Sequence, residues 1–332
     1  MVTSSGLGIP DVDPVFSAAV AAGLSEVEER LAEAVKSDDA LLASASRHLV
    51  AAGGKRFRPL LALVAGHFGD FDAPGVVRAA VVVELTHVAT LYHDDVMDEA
   101  VLRRGSSSAN ARFGNTVAIL TGDFLFARAS NIAADLGTES VRIQARTFER
   151  LVQGQLRETL GPRAGEDPVA HCLSVLSDKT ASLIATSARL GALHAGAPAS
   201  VVDVLARYGE RIGMAFQLAD DLLDIEGSSA ASGKLPGTDL REGVSTLPVL
   251  YARRSTDPAD ARLRSLLAGP LVDDAAHAEV LALLRAHPAM DEARAEVRRW
   301  AEDARAVLTP LPDVPARHAL EALCDSVVDR PA

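Results

Sequence analysis

The sequence predicts an all-α protein, a single-domain bundle of long helices, and three observations lead there. No proline interrupts the chain between Pro74 and Pro162 or between Pro198 and Pro236, and the intervening residues are rich in Ala, Leu and Val. Segments such as "EVEERLAEAVKSDDALLASASRHLV" and "HAEVLALLRAHPAMDEARAEVRRWAEDARAVL" place apolar residues three and four apart, and no period-two alternation bounded by hairpin turns competes with them. Aromatic residues make up only 4% of the 332, and Ala/Leu/Val packing suits helices better than a sheet sandwich. No internal repeat or low-complexity linker splits the chain, so residues 16–330 are expected to form one domain behind a flexible N-terminus at 1–15.

Composition narrows the function. A hydrophobic content of 48% supports a large core. Arg78 and Glu84 interrupt one apolar stretch, and Asp123 and Arg128 another, so no transmembrane segment is expected. The N-terminus lacks a basic region followed by an apolar block, which gives a cytoplasmic expectation. Cys172 and Cys324 have neither metal-like nor disulfide spacing and read as small core residues. A net charge of −12 argues against nucleic acid as a partner and requires any bound anion to be held locally.

Taken in order, the first chemical signal is "GGKRFRP" at 53–59, where Lys55 and Arg58 follow a Gly-Gly turn near a helix start that itself favours anions. Next, "AAVVVELTHVATLYH" at 79–93 carries Glu84 as its only formal charge and reads as a helix buried nearly all round. It ends in Asp94, Asp95 and Asp98. Residues four apart share a helix face, so Asp94 and Asp98 point the same way, while Asp95 lies about 100° round. Carboxylates at the end of a buried helix repel one another and need a positive partner. Hard oxygen ligands in this arrangement suit Mg²⁺, which commonly shares one or two carboxylates with substrate phosphates. A lone triplet also fits a solvated helix end, but "MAFQLADDLLDIEG" repeats the spacing at Asp220, Asp221 and Asp224. Two such helix ends facing one another would hold a cluster of metal ions. Further bases stand near these groups: Arg103 and Arg104 after the first triplet, Lys179 with Thr180 in "SDKTAS", and Lys234 in "SGKLPGTDL".

From about Gly53 to about Gly243 the blocks "GGKRFRP", "HDDVMDEAVLRRG", "FGNTVAILTGDFLF", "KTASLIATSARLGA" and "FQLADDLLD...GKLPGTDLREG...TLP" occur in an order that resembles the polyprenyl synthetase family, with a weaker echo in "ARHALEALCDSVVDR". These are the trans-prenyl diphosphate synthases of the all-α isoprenoid synthases, and the resemblance implies that the helices of the bundle surround a central cavity. The resemblance implies condensation of an allylic diphosphate with isopentenyl diphosphate through Mg²⁺-assisted ionisation, with three ions per site. It implies Asp94, Asp98 and Asp220 as direct metal ligands, supported by Asp95, Asp221 and Asp224. It places Arg103, Lys179, Thr180, Gln217 and Lys234 on the allylic diphosphate, and Lys55, Arg58, His87 and Arg104 on isopentenyl diphosphate. His87 lies seven residues before Asp94, hence on the same helix face. Relatives often carry a lysine after the glycine of "REG", where this chain has Val244. A homodimer is implied through apolar helix faces such as "TVAILTGDFLFARAS".

Product length is expected to depend on Ala89 and Thr90, one turn before the carboxylates and about 5.4 Å deeper. Short-chain relatives carry aromatic residues at this depth. Small residues therefore imply a product longer than farnesyl, with a floor near Val82, Val83 or Thr86 as the alternative. Other readings are a short-chain farnesyl or geranylgeranyl synthase, a class I terpene cyclase, and a non-catalytic subunit of a heteromeric synthase. The cyclase would not need "GGKRFRP", and non-catalytic subunits typically lose the aspartates.

Overall fold

The computed structural model describes residues 13–227, 236–269, 271 and 273–329. Among them helices dominate, as expected, and fall into two compact units described separately here. The first comprises the described residues up to Glu149 with Ser182–Glu210 and Val307–Leu323; the second comprises Arg150–Ala181, Arg211–Ala306 and the described residues from Cys324 onward.

The chain begins with α1 (Pro14–Ala34), already helical at its second described residue, so most of the expected loose N-terminus lies outside the described residues. Asp13 caps α1 by accepting the Phe16 N–H at 2.8 Å, and Asp39 caps α2 (Ala40–Ala51) by accepting the Leu42 N–H at 2.8 Å. Then come α3 (Phe57–Gly66) and α4 (Pro74–Met97). Buried residues surround α4 on every side, because α1, α3, α6 (Asn115–Asp135) and α9 (Ser182–His194) all pack on it. The short α5 (Ala109–Phe113) precedes α6, and α7 (Thr138–Leu160) and α8 (Pro168–Leu176) follow it. A π-helical turn, Ser177–Ala181, joins α8 to α9. The remaining helices are α10 (Ala199–Glu226), α11 (Thr238–Glu242), α12 (Leu247–Arg254), α13 (Ala261–Leu267), α14 (Asp274–Ala286), α15 (Ala289–Val307) and α16 (Pro315–Val328). The periodic run from His277 to Leu308 is thus two helices, broken where Pro288 would lack an amide and clash with the preceding turn.

One feature differs from the sequence expectation. A two-residue hairpin, β1 (Leu102–Arg103) with β2 (Ser106–Ser107), is too short to show alternation. Its turn residues Arg104 and Gly105 both have positive φ, 52° and 75°, as a type I′ turn demands. Also, α4 and α6 are long and apolar enough to cross a membrane by length and composition, since two isolated charges are tolerated in each span. Packing within the protein accounts for α4, whose apolar window is 72% buried, against 33% for α6.

The charge inside α4 has a partner that the sequence did not reveal. Arg56, just before α3 and 3% exposed, donates from Nη1 to Glu84 Oε1 at 2.7 Å; Glu84 is 2% exposed. The same guanidinium reaches Glu28 on α1 and, at 2.9 Å, the Val50 carbonyl. It ties α1, α2, α3 and α4 together. Replacing Arg56 by Ala would leave Glu84 buried without its ion pair, a loss of about 3–5 kcal/mol. Urea unfolding should show a clearly lower midpoint for Arg56→Ala, and an unchanged midpoint would refute this role for the pair.

Candidate active site

The first carboxylate set closes α4. Asp94 lies in its last turn and is half-buried, and Asp98 is the exposed C-cap whose amide bonds the Asp94 carbonyl at 2.8 Å. Asp95 is wholly buried: Arg103 Nε donates to its Oδ1 at 2.6 Å, and its Oδ2 is buried with no hydrogen-bond partner. A helix C-terminus carries partial negative charge, which disfavours acids and favours cations. The last turn of α4 contains no basic residue, so the helix itself offers these acids no counter-charge, and Arg103 supplies one to Asp95 from outside it.

The same unit gathers bases around one histidine. Burial first, and then the guanidiniums of Arg58, Arg104, Arg56 and Arg103, hold the His87 imidazole well below its ordinary value of 6.5. His87 is therefore neutral at pH 7. Arg104 is fixed by donating to the Leu49 carbonyl at 3.0 Å and to that of Gly53. Gly54, at φ 149°, has room only because it lacks a Cβ: one built there would lie 3.0 Å from the Arg104 guanidinium carbon. Lys55 is exposed on this turn. The structure thus brings His87, Arg58, Arg104, Arg103 and Arg56 into one electrostatic group. Ala89 is fully buried on α4, and the hydroxyl of half-buried Thr90 donates to the His87 carbonyl at 2.8 Å.

The second set lies near the end of α10, in the second unit. Thr180 Oγ1 donates to Gln217 Oε1 at 3.1 Å, and Gln217 Nε2 donates to Asp221 Oδ1 at 2.9 Å, which fixes the direction of the carboxamide. Burial raises the Asp221 pKa well above its usual value, and the charges of Asp239, Asp220 and Asp224 add to this while the Gln217 bond opposes it. Asp239 is thus a fourth acid of this group that the triplet pattern did not include. Asp224 accepts the amide hydrogens of Thr238 at 3.2 Å and Asp239 at 3.1 Å, holding the start of α11. Lys179, in the π-helical turn, pairs with Glu158. Its neighbour Asp178 anchors the turn by pairing with Arg150 and Arg157, both at 2.9 Å. Burial, Asp221 and Glu158 together push the Cys172 thiol up to about 12, consistent with an inert packing residue. Lys234 lies outside the described residues. At the position where relatives carry lysine, Val244 uses its amide to bond the Asp239 carbonyl at 2.8 Å.

Among the described residues, no group of three or more His, Cys, Asp or Glu side chains forms a cage for a metal ion. The donor chemistry nonetheless fits Mg²⁺, which keeps waters and uses one or two carboxylates together with phosphate oxygens. The orphaned Asp95 Oδ2 and the mutual repulsion around Asp221 are the signs of carboxylates that a divalent ion would relieve.

The polyprenyl synthetase family model matches residues 39–284. A nonaprenyl diphosphate synthase of Mycobacterium tuberculosis is 51% identical over 97% of each chain. A dimethylallyltranstransferase of the same organism is 41% identical over 99% of each. A solved geranylgeranyl pyrophosphate synthase from Corynebacterium glutamicum, complexed with calcium and isoprenyl diphosphate, superposes with a TM-score of 0.86 at 47% identity, covering 96% of this chain and 98% of that one.

The lowered pKa of His87 gives a pH dependence. The unfolded chain binds a proton near the ordinary value of 6.5 and the folded chain does not, so this contribution to stability is complete above that value and is lost as pH falls below it. Denaturant titrations across this range should show stability falling with acidification, less steeply in His87→Gln than in the parent.

Proposed function

The chain belongs to the polyprenyl synthetase family, and on that premise we propose that it condenses an allylic diphosphate repeatedly with isopentenyl diphosphate, giving a linear trans-polyprenyl diphosphate of about six to ten isoprene units. The observation that carries this reading is the pairing of two kinds of anion chemistry. Acids crowd the C-terminal ends of two helices that have no base in their last turn, and a separate cluster of guanidiniums surrounds a neutral histidine.

In the proposed assignment Asp94, Asp98 and Asp220 are the direct metal ligands, with Asp95, Asp221 and Asp224 supporting them. Bound divalent ions, proposed as three Mg²⁺, would neutralise the departing diphosphate and so favour ionisation. Arg103, Lys179 and Lys234 complement the same diphosphate, while Thr180 and Gln217 orient it. Lys55, Arg58 and Arg104 hold isopentenyl diphosphate, and His87 contributes as a neutral hydrogen-bonding group. The allylic C–O bond breaks with its electron pair leaving on diphosphate. The π electrons of isopentenyl diphosphate then form the new C–C bond, and a proton lost from the adjacent carbon passes to the released diphosphate. Exclusion of water protects the allylic cation.

Ala89 is proposed as the chain-length position: its fully buried side chain is a single methyl group, one turn before the carboxylates, where an aromatic ring would stop a growing chain. A homodimer is proposed through α6, whose Ile119 and Leu120 are 42% and 59% exposed in a single chain.

Purified protein supplied with Mg²⁺, isopentenyl diphosphate and an allylic primer should consume isopentenyl diphosphate and stop when a chelator is added. Asp94→Ala should lower kcat by about a hundredfold or more. Cyclic hydrocarbon made from primer alone would instead indicate a cyclase. In Ala89→Phe, chromatography of the dephosphorylated product should show a shorter chain at comparable turnover; a product of parental length would reject Ala89 as the stop.

A further inference from the structure

The second carboxylate set is held from outside by one helix, α14. At its near end His277, buried, lies with Nε2 2.9 Å from the Gly237 carbonyl. A carbonyl only accepts, so His277 carries its proton on Nε2. Gly237 is left-handed at φ 74°, and a Cβ there would meet His277 Nε2 at 2.7 Å and Leu281 at 2.9 Å. Histidine and glycine are therefore fitted to one another. The turn they fix supplies three successive amides to a single residue: Gly237 N–H bonds the Asp224 carbonyl at 2.7 Å, while Thr238 and Asp239 bond its carboxylate oxygens.

Two turns further along α14, Arg285 Nε donates to the Ile225 carbonyl at 2.7 Å and Nη2 to the Gly227 carbonyl at 3.1 Å. These are a carbonyl of the last turn of α10 and that of the residue just beyond it, where a guanidinium also complements the helix dipole. Arg294 on α15 adds bonds to Glu226 at 2.6 and 3.0 Å. Asp224 thus stands between two segments, the end of α10 and the start of α11, that are both gripped by α14. Arg285 falls just beyond the stretch matched by the family model, which ends at residue 284.

We propose that His277 and Arg285 are positioning residues for the metal–diphosphate site, acting through Asp224 by fixing the α10 terminus and the Gly237 turn from one helix. This rests on the function proposed above. Side chains behind metal ligands commonly change metal affinity about 10–100-fold when removed. The test is titration calorimetry of the full-length protein with inorganic diphosphate and Mg²⁺, alongside steady-state kinetics.

Arg285→Ala and His277→Leu are each expected to weaken diphosphate–Mg²⁺ binding by about tenfold, with KM for isopentenyl diphosphate unchanged, and His277→Gln, which keeps a donor, should recover most of the loss. In an Asp224→Ala background Arg285→Ala should have no further effect on that affinity. Lower melting temperature with undiminished affinity, or full additivity with Asp224→Ala, would overturn the proposal and leave a structural role only. If the parent protein binds diphosphate–Mg²⁺ but condenses no prenyl substrate, the assigned reaction fails while the titrations still decide the role of α14. If it binds neither, the proposal fails as well.

Discussion

Each acidic set is subject to the same electrostatic constraint: aspartates placed at the negative end of a largely apolar helix. Neither α4 nor α10 has a base in its last turn, and both end in aspartates. The helix dipole, the low local polarity and the neighbouring carboxylates all act against the charged form. The raised pKa of Asp221 and the orphaned oxygen of Asp95 record that conflict in two places. The fold answers it locally with Arg103 on Asp95, Gln217 on Asp221, and backbone amides on Asp224. Each of these bonds also fixes where a carboxylate points, so the same contacts that reduce repulsion orient the acids.

A second constraint shapes the basic region. Cations gathered around His87 repel one another, and two of the arginines concerned, Arg56 and Arg104, sit at left-handed backbone positions that disfavour side chains. Each is held there by its own side chain. Arg56 is tied to Glu28 and Glu84, and Arg104 to the carbonyls of Leu49 and Gly53. The buried glutamate of α4 is thus less an anomaly in a hydrophobic helix than the counter-charge that keeps a cluster of bases in place.

The helical class, the burial of α4 and both aspartate triplets could be read from sequence because each is a local pattern. Spacing gives the face on which a residue lies, and composition gives the environment of that face. The rest depends on partners remote in sequence. Nothing in "GGKRFRP" distinguishes Arg56, turned inward to Glu84, from Lys55 and Arg58 beside it. Asp239 joins the second acidic set through the return of the chain at Gly237, beyond the reach of any helical period. The π-helical turn that carries Lys179 is set by Asp178 meeting Arg150 and Arg157, contacts that no run of five residues announces. The hairpin that aims Arg103 is two residues long on each side, shorter than any alternation that could reveal it.

If the proposed reaction holds, the two proposed diphosphate sites differ in chemistry for a reason that follows from it. A departing diphosphate gains charge as its C–O bond lengthens, so its site benefits from stabilisation that grows along the reaction, as hard divalent ions held by carboxylates provide. The other diphosphate keeps its ester bond throughout and gains no charge. In the proposed assignment Lys55, Arg58 and Arg104 hold that group without carboxylate-bound ions, so its own departure is not assisted. Exchanging the two sets would invite ionisation of the wrong substrate. In the proposed reaction a neutral His87 among the arginines would serve the same division, since it could hydrogen-bond a phosphate without adding a titrating positive charge to the site proposed to hold it.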